Sequence, residues 1–208
     1  FFFKQKTAYE IPKRDWSSDV CSSDLTARGG WVVRLGGPET LALPPMPRVF
    51  DYAHSSVRAK NLDVALLASA RFLVGTPSGP AHVAACLGTP TIHTNGFASA
   101  LIPTSRDIWL PKLYREKRSG RLLSLAEMIS PPFAGDIRGS GFGDYGVELV
   151  GNSAEEIADA VDEMFDRLEG GAPADDPAVA DVFQNTRNLH IAPISARFLA
   201  RHRHALLG

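Results

Sequence analysis

The chain has 208 residues and a net charge of −1, and 44% of it is apolar, an ordinary balance for a globular protein that gives no support for a nucleic-acid partner. No run of about 18 apolar residues occurs, so no transmembrane helix is expected. With two cysteines, one of them set aside below, no intrachain disulfide is expected, which fits a reducing compartment.

In chain order, the first segment reads unlike the rest. Asp15-Trp16-Ser17-Ser18-Asp19-Val20-Cys21-Ser22-Ser23-Asp24-Leu25 is similar to the translation of a short-read sequencing adapter. Lys4-Gln5-Lys6-Thr7-Ala8-Tyr9-Glu10-Ile11 is similar to the adapter stretch upstream of it, and Pro12 and Lys13 fall in the variable index between the two. A foreign segment is set aside before fold reasoning. Residues 1–25 are therefore expected to lack order, and the chain from Thr26 is expected to be the C-terminal piece of a longer one. Cys86, left alone in an apolar stretch, is expected to be a buried core thiol.

Trp31 to Leu35 is a short apolar run ended by Gly36-Gly37-Pro38, a buried strand and a tight loop. Prolines 38, 44, 45 and 47 exclude regular structure until a second strand at Val49 to Tyr52. Leu62, Ala65, Leu66 and Ser69 recur at helical spacing, which predicts a helix over 61–70. Phe72 to Val74 is a strand, and Gly75-Thr76-Pro77-Ser78-Gly79 ends it. Pro80 suits a first helical position, and the helix over 81–87 closes at Gly88. Pro90 to Thr94 is a further strand, stopped by Asn95-Gly96. This alternation predicts an α/β fold, a Rossmann-like parallel sheet with flanking helices.

Further on, Leu122 to Ile129 is a helix, Phe133 to Gly146 a glycine-rich loop, and Val147 to Val150 a short strand. Ser153 with Glu156 forms a capping box for a helix running to about Leu168 and stopping at Gly170-Gly171. Its acidic run reads as a solvated face. Ala172 to Pro177 is a linker, and Ser195 to Leu207 a terminal helix whose late basic residues suit its dipole. Residues 26–170 are thus expected to form one domain, and 171–208 a linker and helical extension.

In open parallel sheets, ligands bind outside the carboxyl ends of the strands. Three loops fall there: Arg34 to Gly37, Gly75 to His82, and Thr94 to Gly96. In the second loop, glycines permit close backbone approach, and Thr76, Ser78 and the N–H groups of the following helix suit a phosphate. Arg34 adds a fork for a diphosphate. A strand-to-helix turn with Ser78 as an ordinary cap explains the same residues without a ligand. His82, on the first helical turn, suits a phosphate or sugar contact, an acid, or simple packing. Gly141 to Gly146 spells GxGxxG, but it precedes a strand and so lacks the dinucleotide context. The serine of 75–79 is misplaced for a nucleophile elbow. His202 and His204 cannot share a helix face, so no metal site is expected.

The stretch from Trp31 to Asn95 resembles the C-terminal, donor-binding domain of bacterial GT-B glycosyltransferases of the surface-polysaccharide type. The residues that carry this are Val32-Val33-Arg34-Leu35-Gly36, Asp51-Tyr52-Ala53, Asp63, Ala70-Arg71-Phe72, Gly75-Thr76-Pro77-Ser78-Gly79 and Gly88-Thr89-Pro90. Weaker similarity covers 148–157 and 194–198. Ser78-Gly79-Pro80-Ala81-His82 is also similar to a heptosyltransferase motif around the donor pyrophosphate, with Pro77 in place of that motif's aspartate. The resemblance implies a nucleotide-sugar substrate, no cofactor and no metal, and a glycan or lipid-linked acceptor. It implies donor contacts at Arg34, Gly36, Gly75, Thr76, Ser78, Gly79, His82 and Asn95. The base would come from a missing N-terminal acceptor domain, so catalytic residues are not assigned, His82 being a candidate. This half is then inactive alone, cytoplasmic or peripheral at the inner membrane, and the apolar face of its last helix (Phe198, Leu199, Leu206) would lie exposed. A nucleotide-sugar 2-epimerase of the same architecture and a non-catalytic nucleotide-sugar-binding or interaction module are the alternatives.

Overall fold

A computed structural model describes residues 2–4, 25–37, 39–98, 102, 104–134, 142–171, 176–186 and 192–208. The chain divides into two compact units, Phe1–His93 and Thr94–Gly208. The boundary falls near the middle of a strand, and the terminal helix belongs to the second unit.

The first unit is a parallel sheet flanked by helices, a Rossmann-like arrangement. Its strands are β1 (Phe2–Lys4), β2 (Val32–Leu35), β3 (Val49–Phe50), β4 (Leu73–Gly75) and β5 (Thr91–Gly96), the last running on into the second unit. They stand in the order β3-β2-β1-β4-β5, with every neighbouring pair parallel. Helix α1 (Lys60–Ser69) links β3 to β4, and α2 (Gly79–Cys86) links β4 to β5. Parallel neighbours need such crossovers, which cover the sheet faces. Leu35, Tyr52, Leu67, Leu73, Ala81 and Ala84 form one apolar cluster beneath them. Tyr52 also fastens the chain locally: its hydroxyl donates to the Ala59 carbonyl (2.9 Å) and accepts the Ala59 N–H (2.8 Å).

Two expectations need correction here. The expected lack of order across 1–25 does not hold at Phe2–Lys4, which lie between β2 and β4 and bond to both. Residues 5–24 lie outside the described residues. The physical reason is that a parallel sheet with β2 and β4 two positions apart leaves two open backbone edges, and a short extended segment satisfies both. Cys86 is exposed, not buried, because α2 turns only Ala81 and Ala84 fully inward.

In the second unit, β6 (Ile108–Pro111) is buried at every residue. An antiparallel pair, β7 (Leu113–Glu116) and β8 (Val147–Val150), carries one edge of an aromatic cluster. There Tyr114 meets Phe142 edge-on at 4.8 Å, and Phe133 stacks on Phe142 at 5.3 Å. Helix α3 (Leu125–Met128) starts at a Ser124–Glu127 capping box. Helix α4 (Ala154–Leu168) starts at the expected Ser153–Glu156 capping box and ends before Gly170, which takes a positive φ of 95°. Helix α5 (Pro177–Thr186) follows; the linker expected before it lies at 172–175 outside the described residues and otherwise ends at Pro177, which opens the helix.

The terminal helix α6 (Ala196–Leu207) packs along α4, and this overturns its expected exposure. Phe198, Leu199 and Leu206 are buried, because α4 offers Ile157, Ala160, Val161 and Met164 in the same unit. The acidic run of α4 is likewise not a solvated face throughout. Glu163 is buried and accepts from the Ser195 hydroxyl (2.7 Å), the Ala196 N–H (2.9 Å) and Arg167 (2.8 Å). Glu156 lies 2.6 Å from His202, and Asp159 accepts from Arg201 at 2.8 Å. The basic residues of α6 are thus largely paired with α4 carboxylates, beyond any effect of the helix dipole.

Candidate functional site

The sheet order reverses between β1 and β4, the topological switch point at which open α/β sheets bind ligands. The register aligns Leu35 of β2, Lys4 of β1, Gly75 of β4 and His93 of β5 in one row. Thr76 is therefore the first residue beyond the carboxyl edge of β4, beside the switch point, and Gly36 the first beyond that of β2, one strand further along the sheet. With one strand between them, β2 and β4 stand roughly 10 Å apart.

Beyond β4, Gly75 is buried and Thr76, Pro77 and Ser78 are half-buried. Ser78 is the N-cap of α2 in an extended conformation, but its side chain makes no cap hydrogen bond. The ordinary-cap explanation of Ser78 is therefore not what the structure holds. The first N–H groups of a helix have no partner within it, and Pro80, in the first turn, removes one of them. A Cβ placed on Gly79 meets nothing within 4 Å among the described residues. His82 is exposed and folds back over the helix start, its Nδ1 2.8 Å from the Ser78 carbonyl. A carbonyl only accepts, so Nδ1 carries the hydrogen and Nε2 is turned to the other side of the ring.

Arg34 lies at the predicted strand end, but it is only 2% exposed. Its Nη1 donates to Asp51 Oδ1 at 2.8 Å, and its Nη2 donates to the Leu41 carbonyl. Asp51 Oδ2 accepts the Leu43 N–H at 3.0 Å and lies 2.9 Å from His54 Nδ1. Burial pushes the Asp51 carboxyl up, but the bonds from Leu43, Arg34 and His54 and the charge of Arg34 outweigh it, and the net shift is downward. The guanidinium is thus engaged inside the 34–54 segment, where it fixes the loop after β2. Gly36 sits in the same loop; a Cβ there would meet Thr40 at 3.3 Å and Ala53 at 3.5 Å.

Asn95, in the second unit, has a φ of 54°. Its N–H donates to Asn152 Oδ1, its own Oδ1 accepts the Asn152 N–H at 2.9 Å, and Asn152 Nδ2 donates to the Pro111 carbonyl at 2.9 Å. This reciprocal clasp gives Asn95 a structural task. The structure thus brings Gly36, Gly75, Thr76, Ser78 and Gly79 to one sheet edge with the first turn of α2, which carries His82, and it holds Arg34 and Asn95 in local networks.

Sequence reasoning passed over His54. Its signal is the Asp51-x-x-His54 spacing, which a single helical turn (Tyr52–His54) converts into side-chain contact. Among the described residues, no group of three His, Cys, Asp or Glu side chains is arranged to hold a metal, and no helix is long and apolar enough to cross a membrane. The GxGxxG spelling begins at Gly141, outside the described residues; its later part is a turn that leads into β8. No protein-family model, curated protein or solved structure matches this sequence.

Proposed function

We propose that this chain is the donor-binding half of a glycosyltransferase, taking the diphosphate of a nucleotide sugar at the turn from β4 into α2. One observation carries the reading. At the switch point of a parallel sheet, a glycine-bearing turn presents a serine hydroxyl that makes no cap hydrogen bond and a helix start at Gly79, where an added Cβ would meet none of the described residues. Helix-start N–H groups attract a phosphate through partial positive charge and direct hydrogen bonds. In transfer, an acceptor hydroxyl oxygen bonds to the anomeric carbon and gives its proton to a base while the bond from that carbon to the diphosphate oxygen breaks, and those donors take up the charge growing on the departing nucleoside diphosphate. The acceptor and its base belong to a further domain in this reading. Arg34 contributes by holding the neighbouring loop.

The test is calorimetric titration of the full chain with uridine and guanosine diphosphates, wild type against Ser78→Ala. Saturable binding that Ser78→Ala weakens by roughly tenfold (about 1.4 kcal/mol) supports the site. Equal binding by both proteins, or none by the wild type, refutes it. Ser78→Ala is a cleaner probe than Arg34→Ala, because Ser78 supports no hydrogen bond of the helix cap.

A further inference from the structure

The Asp51–His54 pair is a group that the diphosphate reading does not use. Asp51 is anchored from two sides, by Arg34 at 2.8 Å and by the Leu43 N–H at 3.0 Å. It therefore holds the His54 ring in a fixed orientation through the 2.9 Å contact at Nδ1. Because Asp51 is kept ionised, Nδ1 must carry a hydrogen and donate it. Arg34 Nη1, 3.2 Å from the same nitrogen, is then a near neighbour and not a donor to it. This is the arrangement by which a carboxylate fixes a tautomer and leaves Nε2 to act. The His54 side chain is 29% exposed, and among the described residues Nε2 has no partner.

Position and charge narrow what Nε2 meets. His54 follows Ala53, which packs against Gly36 at the carboxyl edge of β2. The β2 and β4 edges are roughly 10 Å apart, a span that a nucleoside diphosphate bridges. The charges of Arg34 and Asp51 compensate each other, so little net charge draws a second phosphate there. A hydroxyl suits both states of the ring: a neutral imidazole accepts from O–H, and an imidazolium donates to the oxygen.

We infer that His54 Nε2 binds a hydroxyl of the molecule whose diphosphate lies at Gly75–Ala81, with Asp51 as its positioning residue. This rests on the proposed diphosphate site. The hydroxyl belongs to the ribose or to the transferred sugar, and the experiment separates the two. The full chain, labelled with nitrogen-15, is followed by NMR at the ring nitrogens of His54 and the amides of 75–82. In the neutral ring of the free protein the hydrogen is on Nδ1 and Nε2 carries the lone pair. Inorganic pyrophosphate moves only the amides. If uridine or guanosine diphosphate also moves Nε2, the hydroxyl is on the ribose; if only UDP-glucose does, it is on the sugar. His54→Ala weakens UDP-glucose binding about five- to tenfold and leaves pyrophosphate binding unchanged. If the nucleoside diphosphates and UDP-glucose all move the amides and none of them moves Nε2, or if His54→Ala binds UDP-glucose as tightly as the wild type, the inference is overturned and the diphosphate site stands. If no ligand moves the amides, the diphosphate site fails and this inference fails with it.

Discussion

Asp51→Ala removes three hydrogen bonds at once and leaves the Arg34 guanidinium, 2% exposed, without its carboxylate. Breaking one partner of a buried ion pair costs about 3–5 kcal/mol. The Asp51 side chain is 18% exposed, and water can reach the gap, so the low end, about 3 kcal/mol, is expected. The assay is urea denaturation followed by far-UV circular dichroism and by tryptophan fluorescence. Trp109 is fully buried in the second unit and Trp31 is largely exposed in the first. The loss should show as a lower urea midpoint in circular dichroism. The pH dependence has a definite sign. The folded-state pKa is lowered, so the stabilisation is present above the unfolded value near 3.8 and is lost as pH falls through the folded value. A loss below about 1 kcal/mol, as for an ordinary surface substitution, would refute the view that Asp51 organises this loop.

In the second unit, Glu163→Ala should unseat the start of α6, because Ser195, Ala196 and Arg167 all donate to Glu163. A cost of about 2–4 kcal/mol is expected, read as a lower thermal midpoint with earlier proteolysis near residue 195; an unchanged midpoint would contradict it. Glu127 is drawn down to about 2, mainly by its hydrogen bond from Arg121. Its contribution should hold above pH 4.5 and fade toward pH 2, but the side chain is 43% exposed, so screening limits it to below about 1 kcal/mol. Carboxyl carbon NMR of Glu127 reads this directly, and titration near pH 4.5 would contradict it. Gly151→Ala places a Cβ 2.8 Å from Asn95 Oδ1, which the Asn152 N–H holds; about 1 kcal/mol should be lost in urea melts, and a neutral result would show the clasp to be loose.

The parallel α/β alternation was legible because β2 and β4 are short apolar runs and β5 opens on β-branched residues, all punctuated by glycine and proline, with helices between. The Ser153–Glu156 box likewise marks its helix in sequence alone. The second unit was less legible. Strands β6 and β7 are separated only by Lys112, with Pro111 at the junction, so neither an alternating run nor a turn signal stands out. Lys112 is nonetheless buried, its Nζ 4.6 Å from the Phe97 ring centre. The burial of α6 depends on partners on α4, about forty residues earlier, which no local pattern reports. At the candidate site, the glycine and hydroxyl residues after β4 were visible in order. The commitment of Arg34 to Asp51 was not, because it joins residues 17 apart through a loop whose path the prolines conceal.

The most direct measurement is a crystal structure of the full chain soaked with a nucleoside diphosphate. The diphosphate should lie against Gly75 to Ala81, with a phosphate oxygen accepting from the Ser78 hydroxyl and the N–H groups that open α2. A diphosphate bound elsewhere, or density absent at saturating ligand, would contradict the donor-binding assignment.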